Sequence, residues 1–123
     1  MLLVDDDQSM RRALARIIRL AGFDIETFES AEALLAHGVC DPNTCLVLDI
    51  DLPGLDGIEL KRRLDSTGHR VPTIFITALS ATDLSERMTA LAPVAVLHKP
   101  FAREALLAAL ASASHQETKS RYH

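Results

Sequence analysis

Apolar and polar positions along the chain alternate between two periods. Leu2 to Val4 is a short apolar run that breaks into three consecutive acids, Asp5, Asp6 and Asp7. Met10, Leu14, Ile17, Ile18 and Ala21 then recur at helical spacing, Arg11, Arg12, Arg16 and Arg19 lie on other faces, and Gly22 stops the helix. Phe23 to Phe28 alternates as a second strand. Ser30, with Glu32 and Ala33, opens a short helix through Leu34 and Leu35 to His37-Gly38. Leu46 to Asp49 is a third, continuously apolar strand with an acid at its tip, followed at once by the turn pairs Pro53-Gly54 and Asp56-Gly57. Gly57 to Leu64 sets Ile58, Leu60 and Leu64 against Lys61, Arg62 and Arg63, and Ser66, Thr67 and Gly68 end that helix.

The second half repeats the alternation. Val71 to Thr77 reads as strand four, Asp83 to Leu91 as a weaker helix that must end before Pro93, and Val94 to Leu97 as strand five. From Ala102, the residues Leu106, Leu107 and Leu110 mark the stripe of a last, alanine-rich helix; the polar remainder from Ser112 has nothing to bury. Five strands alternating with five helices predict parallel pairing through right-handed crossovers. The expected fold is α/β: a doubly wound, five-stranded parallel sheet of flavodoxin-like order 2-1-3-4-5 with helices on both faces. We expect one domain over residues 1–113, with 114–123 a polar tail or the start of a linker.

Composition narrows the function classes. A chain of 123 residues that is 48% hydrophobic can bury a core without disulfides or a structural metal. The net charge of −4 and the absence of a dense Lys/Arg cluster argue against direct nucleic-acid binding by this chain. No apolar run is long enough to cross a membrane, and Met1 leads straight into a strand pattern, so a cytoplasmic setting is expected. Cys40 and Cys45 have neither redox nor zinc-ligand spacing and read as ordinary thiols. His98, beside a lysine, reads as a strand-edge residue without chemistry.

The chemistry gathers at strand ends. In a sheet of this order, strands one and three are neighbours at the switch point, so Asp5, Asp6 and Asp7 converge on Asp49. Carboxylates crowded together repel one another unless a hard divalent ion with oxygen ligands sits among them, which points to Mg²⁺, with Mn²⁺ as an alternative. A plainer role for Asp5 to Asp7 is to cap the first helix. Thr77 at the end of strand four and Lys99 after strand five reach the same edge. A hydroxyl, an ammonium and a metal around one carboxylate form a phosphoryl site with Asp49 as the nucleophile.

Together LVDDDQSMR, LVLDIDLPGLDG, IFITA and HKPF, in this order and spacing, resemble the receiver domain of two-component response regulators over residues 1 to about 113. The resemblance implies phosphorylation of Asp49 by a histidine kinase, a phosphotransfer protein or a small phosphodonor. It implies direct Mg²⁺ binding by Asp6, Asp49 and the backbone carbonyl of Asp51, with Asp5 acting through water. It also implies phosphoryl contacts from Thr77 and Lys99, and a cis bond between Lys99 and Pro100. The output would be a changed surface on the fourth predicted helix, strand five and the last helix, read by a downstream effector or an output domain, a transcription-regulating one being one form. Homodimerisation through that face is a family habit.

The chain departs from the family pattern in places. Val96 stands where an aromatic residue usually toggles, and Ala90-Leu91-Ala92-Pro93 replaces the usual Ala-Gly-Ala-like turn. Asp51 and Ala78 flank the route by which water would reach the phosphoryl group. Two other readings are carried forward. Asp49 and Asp51 also resemble the nucleophile and acid of haloacid-dehalogenase-type phosphohydrolases, though in those the pair follows the first strand. A phosphorylation-independent, receiver-like binding module is the third.

Overall fold

The computed structural model describes residues 1–38, 44–68, 71–78 and 91–121, with side chains in the last stretch as far as Ala113. Five strands, β1 (Leu2–Val4), β2 (Glu26–Phe28), β3 (Leu46–Asp49), β4 (Thr73–Thr77) and β5 (Ala95–His98), form one sheet in the order β2-β1-β3-β4-β5. Every pairing is parallel. The expected fold class and strand order are therefore found. Among the described residues the helices are α1 (Gln8–Leu20), α2 (Ala31–His37), α3 (Gly57–Ser66) and a C-terminal helix (Arg103–Arg121). Most of the predicted 83–91 helix, and Cys40, lie outside the described residues.

Alternation along the central strands divides the core between two faces. Leu2, Val4, Leu46, Leu48 and Phe75 pack with Ala31 and Leu34 of α2 and Ile58, Leu60 and Leu64 of α3. Leu3, Val47, Ile74 and Ile76 pack with Leu14 and Ile18 of α1 and Leu106 and Leu110 of the C-terminal helix. Cys45 is buried on this second face, as an ordinary core thiol would be. Val96 packs against the first cluster, so β5 carries an aliphatic side chain on the face where an aromatic was missed in the sequence.

Several boundaries differ from the sequence reading. Only Glu26 to Phe28 of the expected Phe23–Phe28 strand pairs, because β1 offers three partners and no more. Strand four begins at Thr73 rather than Val71, and strand five runs from Ala95 to His98, one residue later than expected. The last helix continues past the end of its apolar stripe to Arg121, since no Gly or Pro follows Pro100 to stop it. Lys61, expected on a polar face, is buried: its ammonium donates to Asp65 Oδ1 at 2.8 Å and to the Val71 carbonyl at 2.9 Å. The bond to Val71 ties α3 to the chain entering β4.

Candidate functional site

In a parallel sheet the carboxyl ends of all strands open on one edge. There β1 delivers Asp5 to Asp7, β3 ends in Asp49, β4 ends in Thr77, and β5 leads into Lys99. The three acids after β1 divide the work between them. Asp7 is the N-cap of α1, its Oδ1 accepting from the backbone N–H groups of Ser9 at 2.9 Å and Met10 at 3.3 Å. The capping role foreseen for the triplet thus falls to Asp7 alone. Asp5 and Asp6 remain, and a carboxylate oxygen of each lies within 4.8 Å of one from Asp49.

Asp5 is fully buried. Its Oδ1 accepts from Asp7 N–H at 2.9 Å, and its carbonyl accepts from Arg11 Nη1 at 2.7 Å. Its Oδ2 is buried and without a partner. Burial is the main force raising the Asp5 pKa, from 3.8 to about 6; the Asp7 N–H opposes it and the neighbouring Asp49 charge reinforces it. An orphaned anionic oxygen in a three-carboxylate cluster is the signature of a place for a hard cation, so the donor set fits a divalent metal.

Asp49 is 2% exposed, and both its oxygens are engaged. Oδ1 accepts from Asp51 N–H at 2.9 Å, and Oδ2 pairs with Lys99 Nζ at 3.1 Å. Burial works to lower the Lys99 pKa, but the hydrogen bond and charge of Asp49, with Asp5 and Asp51 further off, outweigh it and hold the ammonium above its ordinary 10.5. Lys99 is positioned by its own backbone, whose N–H donates to the Thr77 carbonyl at 2.8 Å; the Lys99-Pro100 bond is cis, as expected. Thr77 is fully buried at the end of β4.

Gly57 backs the site. A Cβ there would lie 2.6 Å from the Asp49 carbonyl oxygen and 3.1 Å from Ile50 Cα, so the start of α3 can press on the strand only because the residue has no side chain. Asp56 caps α3 by accepting from Glu59 N–H at 2.9 Å.

All of the predicted site residues thus arrive at one edge. Sequence reasoning missed what the Asp51 side chain does. Its Oδ2 accepts from Ala78 N–H at 2.9 Å, while its Oδ1 is buried without a partner. It also missed the Arg11 tether to Asp5. The first joins segments 27 residues apart, for which the local pattern carries no signal; the second reaches back only six residues, from the first turn of α1 to the end of β1.

The fold and this edge define a doubly wound α/β domain with an acidic cluster, a threonine and a lysine at the carboxyl ends of its strands. The family model for the response regulator receiver domain matches residues 1–111. The chain belongs to that family, which sets aside the phosphohydrolase reading. It is 36% identical to Nodulation protein W of Bradyrhizobium diazoefficiens over 118 residues, 96% of this chain and 52% of that one. It is 39% identical to the response regulator MprA of Mycobacterium avium over 109 residues, 87% of this chain and 47% of that one. The structure of the response regulator StyR superposes with a TM-score of 0.88 at 36% identity, covering 98% of this chain and 61% of StyR. The chain spans about half the length of the relatives it matches. It is a receiver domain of the two-component response regulators. No described helix is long and apolar enough to cross a membrane.

Proposed function

We propose that Asp49 accepts a phosphoryl group from the phosphohistidine of a kinase or phosphotransfer protein, or from a small donor such as acetyl phosphate. An ionised Asp49 oxygen attacks phosphorus, an Asp49 O–P bond forms, and the donor's P–N or P–O bond breaks with its electron pair leaving on imidazole or acetate. No proton need be taken from the nucleophile. The observation that carries this reading is the buried Asp49 carboxylate held between the Lys99 ammonium and the Asp5–Asp6 cluster.

Asp6, Asp49 and the Asp51 carbonyl would hold Mg²⁺, or Mn²⁺, directly, and Asp5 through water; the ion supplies positive charge to the phosphoryl oxygens. Lys99 leaves Asp49 Oδ2 to pair with a phosphoryl oxygen, and the Thr77 hydroxyl donates to another. Drawing in Thr77 and Lys99 moves the ends of β4 and β5, and this change is read on the β5 and C-terminal helix face by a partner, an output domain acting on transcription, or a second copy of the chain. In this reading residues 1–113 are the receiver unit, 114–123 lead out of it, and the domain works in the cytoplasm.

Intact-mass measurement after incubation with acetyl phosphate and Mg²⁺ tests the reading. A single metal-dependent adduct is expected on the wild type and none on Asp49→Asn. An adduct on both proteins, or on neither with any small donor or phosphohistidine donor, would overturn it.

A further inference from the structure

The Asp51 carboxylate is an anion placed where a second anion is due to arrive. Its residue is anchored at the acceptor, since Asp51 N–H donates to Asp49 Oδ1 at 2.9 Å. Its side chain crosses to β4, where Oδ2 accepts from the backbone N–H of Ala78 at 2.9 Å. Ala78 directly follows Thr77, the proposed hydroxyl donor to the phosphoryl group, so its N–H lies at the same edge. The other oxygen, Oδ1, is buried with no partner, which leaves half of the carboxylate's acceptor capacity unmet. Lys99 pairs with Asp49 Oδ2 and acts on the Asp51 carboxylate through its charge.

We propose that Asp51 is an autoinhibitory strap: its carboxylate occupies the Ala78 N–H in the resting protein and is displaced by the phosphoryl group, which takes over that donor. This rests on the phosphoacceptor reading of Asp49. A phosphoryl group there adds close to two negative charges and three acceptor oxygens, covalently fixed in position. The Asp51 carboxylate is then repelled from one side while holding a single hydrogen bond on the other. Asp51 is only partly buried and Pro53 and Gly54 beyond it are exposed, so its side chain has water to turn into. The residue thereby sets a threshold: a donor must supply enough binding to displace it before Ala78 changes hands.

The test is titration of the ¹⁵N-labelled chain with beryllofluoride, a non-covalent phosphoryl stand-in, at saturating Mg²⁺, comparing wild type, Asp51→Ala and Asp51→Asn. Asp51→Ala is expected to bind about tenfold more tightly, the worth of one charge-assisted hydrogen bond no longer in competition. Asp51→Asn, which keeps an acceptor without the charge, should fall between the two, and it serves alone if Asp51→Ala does not fold. The Ala78 amide resonance should shift in unliganded Asp51→Ala and again in the wild type on beryllofluoride binding. Equal or weaker binding by both variants, or an Ala78 resonance indifferent to the substitutions, would overturn the strap while leaving Asp49 as acceptor. No beryllofluoride binding to the wild type would overturn the acceptor reading and the strap with it.

Discussion

Asp5 offers a quantitative check on the acidic cluster through Asp5→Asn. Its carboxyl titrates near 6 in the fold against an ordinary 3.8. At about 1.4 kcal/mol per tenfold change in proton affinity, ionising it in the metal-free protein at neutral pH costs about 3 kcal/mol. Because the folded value lies above the unfolded one, the Asp5 contribution to stability is fully present below pH 3.8 and is lost as pH rises through about 6. Asparagine keeps the acceptor for Asp7 N–H and places a neutral donor where the unpartnered Oδ2 stands. In urea unfolding with a chelator, Asp5→Asn should therefore be about 2–3 kcal/mol more stable than the wild type at pH 7.5, and nearly equal to it at pH 4. Mg²⁺ should narrow or reverse the difference at pH 7.5 by stabilising the wild type more than the variant, which keeps the direct ligands but loses the Asp5 charge. Its affinity for the wild type should fall by about tenfold per pH unit below 6, as the ion must then expel the Asp5 proton. A stability difference independent of pH, or a variant less stable than the wild type at pH 7.5 without metal, would refute the reasoning.

Two further outcomes are expected. Gly57→Ala forces a Cβ to within 2.6 Å of the Asp49 carbonyl, a backbone atom of the central strand, and should cost about 2–3 kcal/mol in urea unfolding while slowing adduct formation; a change under 0.5 kcal/mol would mean that α3 does not press on β3. Thr77→Ala should still bind beryllofluoride, within about tenfold of the wild type, but lose the resonance shifts that binding causes in Ala95 to His98; identical shifts in both proteins would remove Thr77 from the coupling.

How much was legible in advance follows from where the information lies. Strands buried on both faces are written as continuous apolar runs, so Leu46 to Asp49 and Ile74 to Ile76 could be read directly, and the alternation of strand and helix implied parallel pairing, with the order taken from the flavodoxin-like arrangement. The site was legible for the same reason: once strand order is known, acids, a threonine and a lysine at strand ends must meet. Edges were less so. At β2, pairing depends on how many residues β1 offers; at the C-terminal helix, the end of an apolar stripe is not a stop signal. Lys61 looked like its neighbours Arg62 and Arg63, and its burial is compensated by Asp65 one turn on together with the carbonyl of Val71, ten residues on, which no local pattern announces. The Asp51 to Ala78 bond spans 27 residues and has no counterpart in any local pattern.

The position of β5 has a thermodynamic consequence. It is one of the two edge strands, hydrogen-bonded among the described strands to β4 alone, with Ala95 and Val96 half-buried and His98 exposed, and it runs directly into Lys99. With Asp49 as the proposed phosphoacceptor, a protein or domain that lies against β5 and prefers one setting of Lys99 would discriminate between its free and phosphorylated states. Linkage makes that preference mutual: whatever factor phosphorylation adds to the partner's affinity, the partner adds to the affinity of the site for a phosphoryl ligand. If Asp49 is the phosphoacceptor proposed above, a reader of the signal on this edge would also be one of its writers.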